Sequence, residues 1–592
     1  MTDQRTTVKR YRPVLRRDDP FVPISSTSAP VFKTGSQRSE RPVFIDKTAP
    51  CRHACPIGID IPTAFHLASQ GDFDGALRTY LHDNPLPGVC GRVCYHPCEV
   101  ECNRGSFDES INIRSFERFL ADHGRADITK DVPLHSRKET VAVIGSGPAG
   151  LSAAYHLARL GYRVTILEAR SELGGMLRYG IPAYRLPRSI LDREIDRIRF
   201  LGVETQLETS VGGELSWSEL KTFHAIFISV GMQSGKVLFE TDGVDEHVTT
   251  GLDFLADPHQ WPLEDAGLKT LILGGGNVAI DVARTLLRLR KGNGEHIMVI
   301  CPESRDQMPA LPEEVTEAEE EGITILNGWA PQRLHQEQGR LKSLVFFRAK
   351  VTIDKETGEI AITRVGRETQ GLMVDKIIVS IGQEMRYNQL PSGIQAERGL
   401  IVADQFGRTA LPNVFAGGDV IGAKAFVADA IASGKMGALA VSSFLEGGEV
   451  EATFRAHRIG QSRTFCFQRL ITGDESDSAD LTRLIAFDQI NTLFFHMHPR
   501  NNPERLEVER RNKTFDEVTA GVEPASMEEE IARCFQCGRC TDCENCLDFC
   551  PDISIIKDAK EGIYRFDSDF CKGCGVCSVA CPRGVVEMVG EE

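Results

Sequence analysis

The 592-residue chain has no long apolar run, no excess of basic residues and almost no cysteine through its middle. Its 68 Lys and Arg against 84 Asp and Glu give a formal net charge of −16. Because phosphate backbones are bound by clustered Lys and Arg, this balance argues against a nucleic-acid partner. No stretch approaches the roughly 18 consecutive apolar residues of a spanning helix, so no membrane span is expected. At about 150 residues per domain, the length predicts roughly four globular units.

Cysteine is concentrated near the two ends of the sequence. Of 18 cysteines, six lie at residues 51–102 and ten at residues 534–581, while only Cys301 and Cys466 lie in the 431 residues between. Disulfide frameworks are typical of small secreted domains, whereas two dense groups around a cysteine-poor body indicate metal sites in a reducing compartment. We therefore expect a cytoplasmic protein.

The middle of the chain contains a strand, a glycine-rich turn, a helix and a second strand. A β-branched strand at 140–144 leads into Gly145-x-Gly147-x-x-Gly150, and Glu168 ends the next strand, 23 residues after Gly145. Such glycines let the backbone approach a pyrophosphate at a helix N-terminus, and the carboxylate accepts hydrogen bonds from ribose. The pattern predicts a dinucleotide site. The turn residues expected at the nucleotide also include Pro148 and Ala149.

A later segment supports the same site. Residues 413–419 are a short strand that ends on Gly-Gly-Asp. Gly418 would admit a second close approach of backbone to ligand, and Asp419 can hold a ribityl hydroxyl. Together the two segments predict FAD in an extended conformation.

The pattern returns with Gly274-x-Gly276-x-x-Ala279, followed by a strand to about residue 300. It predicts a second dinucleotide, the nicotinamide that exchanges hydride with flavin N5. Asn277 and Val278 are also expected at this turn. The alternative is a degenerate structural repeat that binds no nucleotide. Hydride transfer depends on alignment, so no catalytic His or carboxylate is expected. Disulfide reductases of this two-domain plan carry a Cys-x-x-Cys beside the flavin, and residues 105–532 contain none. The electrons are therefore expected to leave through the flanking cysteine groups.

The C-terminal region carries two runs of Cys-x-x-Cys-x-x-Cys-x-x-x-Cys-Pro. In such runs three cysteines bind one [4Fe-4S] cluster and the fourth ligates the other, whereas zinc needs a single set. The predicted ligand sets are Cys540, Cys543, Cys546 with Cys581, and Cys571, Cys574, Cys577 with Cys550. Cys534 and Cys537 lie outside both runs, and they could shift the first register, form a separate site or pack as ordinary thiols.

The N-terminal group also predicts iron–sulfur chemistry. Six cysteines in helical turns can hold one complete [4Fe-4S] cluster with two to spare, or two clusters if other ligands help. At least one cluster is expected. The candidate ligands are Cys51, Cys55, Cys90, Cys94, Cys98 and Cys102.

Five short motifs carry a family resemblance. They are Cys-Pro-Ile-Gly-Ile-Asp-Ile-Pro at 55–62, Gly-Arg-Val-Cys at 91–94, Pro-Cys-Glu at 97–99, Gly-Gly-Met-Leu-Arg-Tyr-Gly-Ile-Pro at 174–182 and Tyr-Arg-Leu-Pro at 184–187. Over residues 45–450 the chain resembles the small subunit of NADPH-dependent glutamate synthase, a module that also occurs in dihydropyrimidine dehydrogenase and in the large subunit of NADH-dependent ferredoxin:NADP oxidoreductase. The appended ferredoxin resembles that of stand-alone iron–sulfur flavoproteins, such as the one associated with dissimilatory sulfite reductase.

This resemblance implies further site residues. Gly175 and Met176 join the residues expected at FAD, and Glu117 is expected near or on the first cluster. That cluster would use Cys55, Cys94 and Cys98, and Glu117 as a further ligand.

The sequence departs from the family at two places. Relatives carry a further Cys-x-x-Cys shortly before the equivalent of Cys51, but residues 42–49 contain none. A second N-terminal cluster would therefore have only Cys51, Cys90 and Cys102 as available ligands. Relatives also hold the 2′-phosphate of NADP with paired arginines, where this chain has Pro302 and Glu303. A carboxylate there would accept hydrogen bonds from the free 2′-hydroxyl of NAD, so NAD(H) is predicted.

The predicted fold class is α/β, with two tandem Rossmann-like dinucleotide-binding domains of the disulfide-reductase plan between an N-terminal helical iron–sulfur domain and a C-terminal α+β ferredoxin domain. The predicted domains are a basic flexible arm or docking strap at 1–44, the helical iron–sulfur domain at 45–136, the FAD domain at 137–250 and 385–450, the NAD domain at 251–384, a linker or interface segment at 451–530 and the ferredoxin domain at 531–592. Residues 481–495 are a helix candidate, and the glutamate-rich run at 313–321 is expected to be a solvated helix face.

The predicted function is electron transfer between NAD(H) and a protein partner, through FAD and [4Fe-4S] clusters. One alternative is a true glutamate synthase small subunit that supplies electrons to a glutamate-forming large subunit. The other is an assembly scaffold with structural zinc and degenerate nucleotide folds. The chain is expected to act as a homodimer or as a subunit of a larger complex.

Overall fold

The computed structural model describes residues 35, 38–126, 136–238, 247–261, 267–338, 340–353, 360–385, 390–422, 424–473, 479–558 and 564–591. They form two compact units. Unit 1 takes in the chain up to residue 131, residues 448–503 and residues 521–592, and unit 2 takes in residues 132–447 and 504–520. Most of the predicted basic arm, residues 1–34 and 36–37, lies outside the described residues.

The strands of the described residues, in chain order, are β1 (Glu40–Phe44), β2 (Thr140–Ile144), β3 (Arg163–Leu167), β4 (Glu204–Gln206), β5 (Ala225–Ile228), β6 (Ser234–Gly235), β7 (Val248–Thr250), β8 (Thr270–Leu273), β9 (Ile297–Cys301), β10 (Thr324–Asn327), β11 (Trp329–Glu337), β12 (Arg340–Ile353), β13 (Ile360–Met373), β14 (Lys376–Val379), β15 (Gln383–Glu384), β16 (Ala396–Glu397), β17 (Leu400–Ile401), β18 (Val414–Ala416), β19 (Ile555–Lys557), β20 (Tyr564–Phe566) and β21 (Val586–Gly590).

The α-helices of the same residues are α1 (Pro50–Ala54), α2 (Ile61–Ser69), α3 (Phe73–Leu81), α4 (Pro87–Val93), α5 (Pro97–Val100), α6 (Ile113–His123), α7 (Pro148–Arg159), α8 (Met176–Tyr179), α9 (Arg188–Arg199), α10 (Gly251–Ala256), α11 (Asn277–Leu289), α12 (Pro312–Glu320), α13 (Val427–Glu446), α14 (Val450–His457), α15 (Phe467–Thr472), α16 (Ala479–Thr482), α17 (Val508–Arg511), α18 (Pro524–Arg533), α19 (Asn545–Asp548) and α20 (Val576–Ala580). None of these helices is long and apolar enough to cross a bilayer.

Unit 2 is built on two five-stranded parallel sheets. Their strand orders are β18-β5-β2-β3-β4 and β10-β9-β8-β14-β7, and a three-stranded antiparallel sheet of β11, β12 and β13 is added to them. β2 and β8, each of which leads into a glycine-rich turn, are almost continuously buried. This burial is typical of parallel strands covered by helices on both faces. The predicted α/β fold with two tandem dinucleotide folds is confirmed.

The acidic helix α12 is only partly the solvated face that its run of glutamates predicts. Glu321, which follows it, accepts hydrogen bonds from Arg284 at 2.8 Å and from Arg288 at 3.0 Å, and all three side chains are fully buried. Glu317 accepts from Arg284 at 2.7 Å. The prediction of a solvated face holds for Glu319 and Glu320, which are exposed, but is wrong for Glu317 and Glu321. Arginines buried on α11 pair with these two carboxylates, and a buried charge needs such a partner.

Unit 1 contains residues from both cysteine-rich regions. β1 pairs antiparallel with β21, and β19 pairs antiparallel with β20. Residues 61–81 form two helices, because each begins at its own aspartate cap: Asp60 accepts from the Thr63 N–H at 3.3 Å, and Asp72 accepts from the Gly75 N–H at 2.8 Å.

The apolar run 481–495 does not form the predicted helix. It contains 3₁₀ turns at Phe487–Gln489 and Thr492–Phe494. Asn491 accepts a hydrogen bond from the Leu493 N–H at 3.2 Å, and such local side-chain bonds compete with helix formation. The buried apolar side chains of this run pack against Phe535.

Candidate functional site

The first glycine-rich turn joins β2 to the N-terminus of α7. Gly145 has φ +95°, and a Cβ atom on it would lie 2.7 Å from the carbonyl oxygen of Ser229. Gly147 caps α7, and nothing lies within 4 Å of the position its Cβ would take. Open space beside bare backbone at a helix N-terminus suits a phosphate group. A Cβ on Gly150 would lie 2.0 Å from the Gly145 carbonyl oxygen, so only glycine lets α7 pack this closely.

Glu168, directly after β3, is held against this turn. Its Oε2 accepts from the Ser146 N–H at 3.0 Å and from the Ser146 hydroxyl at 2.5 Å, and its Oε1 accepts from the Arg170 N–H at 2.9 Å. The Ser146 hydroxyl oxygen in turn accepts from the Gly174 N–H at 3.0 Å. The carboxylate is therefore fixed beside the turn, where a ribose would reach it.

Two later segments meet the same turn. Gly175 has φ +52°, and a Cβ on it would lie 2.8 Å from the Cα of Gly147. Met176 begins α8 directly afterwards. Gly418 has φ +78°, and a Cβ there would lie 2.9 Å from that of Ala149. A side chain at either glycine would collide with the turn, so only glycine lets these two segments approach it this closely.

Asp419 adds a carboxylate oxygen to which no described residue donates a hydrogen bond. Its Oδ1 is buried, and no atom of the described residues donates to it. Burial and the charge of Asp429 raise the pKa of Asp419 to about 6. A buried acceptor without a donor favours a hydroxyl-rich ligand at this place, so these residues fit the ribityl chain of FAD.

The second glycine-rich turn joins β8 to α11. Gly274 has φ +134°, and a Cβ on it would lie 2.2 Å from the Ser380 carbonyl oxygen. Gly276 caps α11 and has open space where its Cβ would be. The side-chain oxygen of Asn277 accepts from the Leu311 N–H at 2.9 Å and so holds the residue that precedes α12. Around the turn, Ala279 is fully buried, and Val278 lies 2.9 Å from where a Cβ on Gly251 would stand.

Glu303 faces this second turn. A Cβ on Gly275 would lie 2.9 Å from its Oε2, and that oxygen is buried with no donor among the described residues. Burial also raises the pKa of Glu303. Arg305, in contrast, is held by α12, 3.1 Å from Glu319 and 3.3 Å from the Thr316 hydroxyl. The open acceptor at the turn fits a nucleotide ribose.

The Tyr184-Arg185 motif has a structural role that spacing did not indicate. Arg185 pairs with Asp281 at 2.7 Å and with Glu314 at 3.0 Å, and the Arg288 guanidinium lies 3.8 Å from the centre of the Tyr184 ring. These contacts tie the segment after α8 to α11 and α12. They connect the two nucleotide folds of unit 2.

The C-terminal cysteines of unit 1 line two cavities, and each cavity holds one of the predicted ligand sets. The cavity of Cys540, Cys543, Cys546 and Cys581 has about 360 Å³ of empty space. The cavity of Cys550, Cys571, Cys574 and Cys577 has about 290 Å³.

An N-terminal group of unit 1 brings Glu117 close to Cys55 and Cys94, and brings Cys98 close to the same two cysteines. Burial and the charge of Glu117 raise the pKa of Cys55 to about 11. Burial, Glu117 and Cys55 raise the pKa of Cys94, and burial, Cys55 and Cys94 raise that of Cys98. Glu117 accepts from Asn84 at 2.7 Å, which fixes its carboxylate. The four side chains suit a cluster with three thiolates and one carboxylate.

The remaining N-terminal cysteines are divided. Cys90 is buried in α4, one turn before Cys94. Cys51 and Cys102 lie instead in a cavity with Cys534 and Cys537. Within the described parts of the chain, no three His, Cys, Asp or Glu side chains form a group that could hold a single metal ion. In a cubane each thiolate binds a separate iron corner, so the thiolates stand further apart than around one ion.

Comparison with known families identifies the family of the nucleotide-binding folds and two iron–sulfur segments. The family model "Pyridine nucleotide-disulphide oxidoreductase" matches residues 139–434, half of the chain. The chain belongs to this family. The model "Dihydropyrimidine dehydrogenase domain II, 4Fe-4S cluster" matches residues 33–128, and "4Fe-4S binding domain" matches residues 564–587.

Three relatives extend the likeness beyond the nucleotide folds. The NADP(+)-dependent formate dehydrogenase subunit beta of Moorella thermoacetica is 34% identical over 525 residues, which cover 83% of this chain and 71% of that protein. The NADPH-Fe(3+) oxidoreductase subunit beta of Geobacter sulfurreducens is 32% identical, with 84% and 76% covered. The NAD-dependent dihydropyrimidine dehydrogenase subunit PreT of Salmonella typhimurium is 34% identical, with 67% and 91% covered.

The protein is thus an NAD(P)H-dependent iron–sulfur flavoprotein oxidoreductase that transfers electrons, with FAD and [4Fe-4S] clusters as its cofactors. The glutamate synthase alternative is not favoured, since these relatives carry other activities in their names. The zinc scaffold alternative is not supported either.

Proposed function

We propose that the protein passes electrons between NAD(H) and a protein partner, and that the partner docks at the ferredoxin domain. The observation that carries this proposal is the exposure of the last predicted cluster site. Cys574 is exposed, and Val579, on the helix that follows it, is 72% exposed. An exposed apolar side chain beside a redox site is suited to a protein docking contact.

The chain supplies a binding site at each end of the route. Glu303 and the Gly274–Gly276 turn would hold the nicotinamide nucleotide, and Glu168, Asp419 and the Gly145–Gly150 turn would hold FAD. When bound, the flavin converts two-electron hydride chemistry into single-electron steps that iron–sulfur clusters can carry.

The test separates docking from the redox chemistry. Val579→Glu places a charge on the proposed docking surface without touching a cysteine. We expect NADH-driven reduction of ferricyanide to be unchanged and reduction of cytochrome c, a protein acceptor, to fall at least tenfold in kcat/KM. Val365→Glu, at an exposed valine of β13, is the matched control and should affect neither rate. Equal cytochrome c rates in both variants would place the docking surface elsewhere.

The finer assignment and the cellular setting are also proposals. The fused ferredoxin supports a likeness to the flavoprotein associated with dissimilatory sulfite reductase, and the relatives' names, all of which are subunit names, support a role within a larger complex. The homodimer remains the alternative. The cysteines that the structure describes form no disulfide, which supports a reducing, cytoplasmic location.

A further inference from the structure

The cavity that Cys51 and Cys102 share with Cys534 and Cys537 resembles the two ferredoxin cavities. It has about 360 Å³ of empty space, against about 360 and 290 Å³ for the cavities of the two C-terminal runs. Each of the three cavities is lined by four cysteines. The cavity of Cys534 and Cys537 therefore matches the two predicted cluster cavities in empty space and in its set of four thiols.

The two C-terminal cysteines reach this cavity because α18 is anchored on the N-terminal helices. Glu530 is fully buried and accepts from the Asn112 N–H at 2.8 Å and from the Asn501 N–H at 2.9 Å. Arg104, also buried, donates to the carbonyl oxygen of Arg533 at 2.8 Å. Buried, charge-assisted hydrogen bonds of this kind fix the end of a helix firmly. Cys534 follows directly, so its position is determined by the same contacts.

The backbone around Cys534 has the conformation found at two predicted cluster ligands. Cys534 Sγ accepts from the N–H two residues later, that of Gln536, at 3.4 Å, and Gln536 has φ +51°. Cys94 makes the same contact with the His96 N–H at 3.3 Å, and His96 has φ +44°.

The first cysteine of the ferredoxin runs, Cys540, is followed two residues later by Asp542 at φ +55°. Left-handed backbone is strained for a non-glycine residue, so its repetition after these cysteines indicates a functional turn. An N–H aimed at sulfur stabilises thiolate over thiol.

We propose that Cys51, Cys102, Cys534 and Cys537 together bind one [4Fe-4S] cluster. The proposal gives a role to the two cysteines outside the ferredoxin runs, and it does not depend on which partner the protein serves. Its ligands alternate along the chain with those of neighbouring sites. Cys51 is four residues from Cys55, and Cys537 is three residues from Cys540. The site would therefore share short chain segments with both the N-terminal cluster site and the first ferredoxin site.

The test measures iron and acid-labile sulfide per chain in full-length protein purified without oxygen. Cys534→Ser should lower the iron content by about four atoms, the content of one cluster. Adding Cys51→Ser should cause no further loss, because both residues would serve the same cluster. Adding Cys540→Ser instead should raise the loss to about eight atoms. Cys466→Ala, a buried cysteine outside the four groups, is the control and should keep full iron.

Three results would overturn the proposal. The first is an unchanged iron content in Cys534→Ser, and the second is zinc in place of iron in the wild type. The third is a loss of iron in Cys534→Ser/Cys540→Ser that is no larger than the loss in either single variant. That result would make Cys534 a ligand of the first ferredoxin cluster. FAD content reports whether each variant is folded. If the serine variants do not fold, wild-type protein is alkylated during gradual removal of iron by a chelator. Cys51 and Cys534 should become labelled at one common rate, and unequal rates would refute a shared cluster.

Discussion

Replacing Pro302 and Glu303 by arginine is expected to reverse the nicotinamide preference from NADH towards NADPH. Glu303 holds a buried, donor-free oxygen 2.9 Å from the position of a Cβ on Gly275. The free 2′-hydroxyl of NAD could donate to this oxygen, whereas the 2′-phosphate of NADP would place like charge against it. Arg305, the nearby cation, is paired with Glu319 at 3.1 Å.

The size of the preference can be worked from this contact. A hydrogen bond to a charged group contributes roughly 1.5–3 kcal/mol. At about 1.4 kcal/mol per tenfold change in binding, one such bond predicts a ten- to hundredfold preference in kcat/KM for NADH. Partial burial of Glu303 weakens solvent screening, so the interaction keeps most of its strength. Family membership does not decide the matter, because the names of the relatives include both NADP and NAD.

The assay is steady-state reduction of ferricyanide with each nucleotide. The wild type should prefer NADH, and Pro302→Arg/Glu303→Arg should lose that preference and gain activity with NADPH. Glu295→Arg makes the same glutamate-to-arginine change at an exposed site before β9, and it should leave the ratio unchanged. A wild type that prefers NADPH would refute the reasoning, and an unchanged ratio in the double variant would remove Glu303 from the nucleotide site.

Two further predictions concern stability. Asp419→Asn should raise the free energy of unfolding of the flavin-free protein at pH 8 by up to about 3 kcal/mol. Burial raises the pKa of the Asp419 carboxyl from 3.8 to about 6. The stability that the protonated carboxyl gives the wild type is therefore lost as pH rises through 6, and asparagine does not ionise. Urea titrations should show a smaller gain at pH 5, and an equal gain at both pH values would contradict the assignment. Arg284→Met should destabilise unit 2 by about 3–5 kcal/mol, because it leaves buried Glu321 and Glu317 short of a partner. Arg305→Met, at an exposed pair, should cost less than about 1 kcal/mol in the same titration, and similar losses in both variants would argue against the buried network.

The nucleotide folds could be predicted from sequence because their signals are local. The strand at 140–144 has the predicted bounds, and the glycines that follow β2 and β8 adopt the positive φ values that such turns require. A run of β-branched residues, a glycine turn and a helix cap lie within a few residues of one another, so no distant contact is needed to recognise them.

The failures share a physical cause. Whether Glu321 is exposed depends on Arg284 and Arg288, which lie more than 30 residues earlier in the chain. Whether residues 481–495 become a helix depends on the core that receives their apolar side chains, including Phe535. Periodicity and composition report only on the segment itself. In both cases contacts with residues distant in the sequence decided the structure instead.

The same limit explains why Cys534 and Cys537 could not be assigned from spacing. Spacing rules treat neighbours in a motif as ligands of one site. In unit 1, however, cysteines one helical turn apart face different groups: Cys55 lies with Glu117, whereas Cys51 lies with Cys534. Two neighbouring cysteines of one motif can therefore be ligands of two different sites. The N-terminal segment lacks the Cys-x-x-Cys pair that its relatives carry before the equivalent of Cys51. In this fold the end of α18 brings another pair, Cys534 and Cys537, to Cys51 and Cys102.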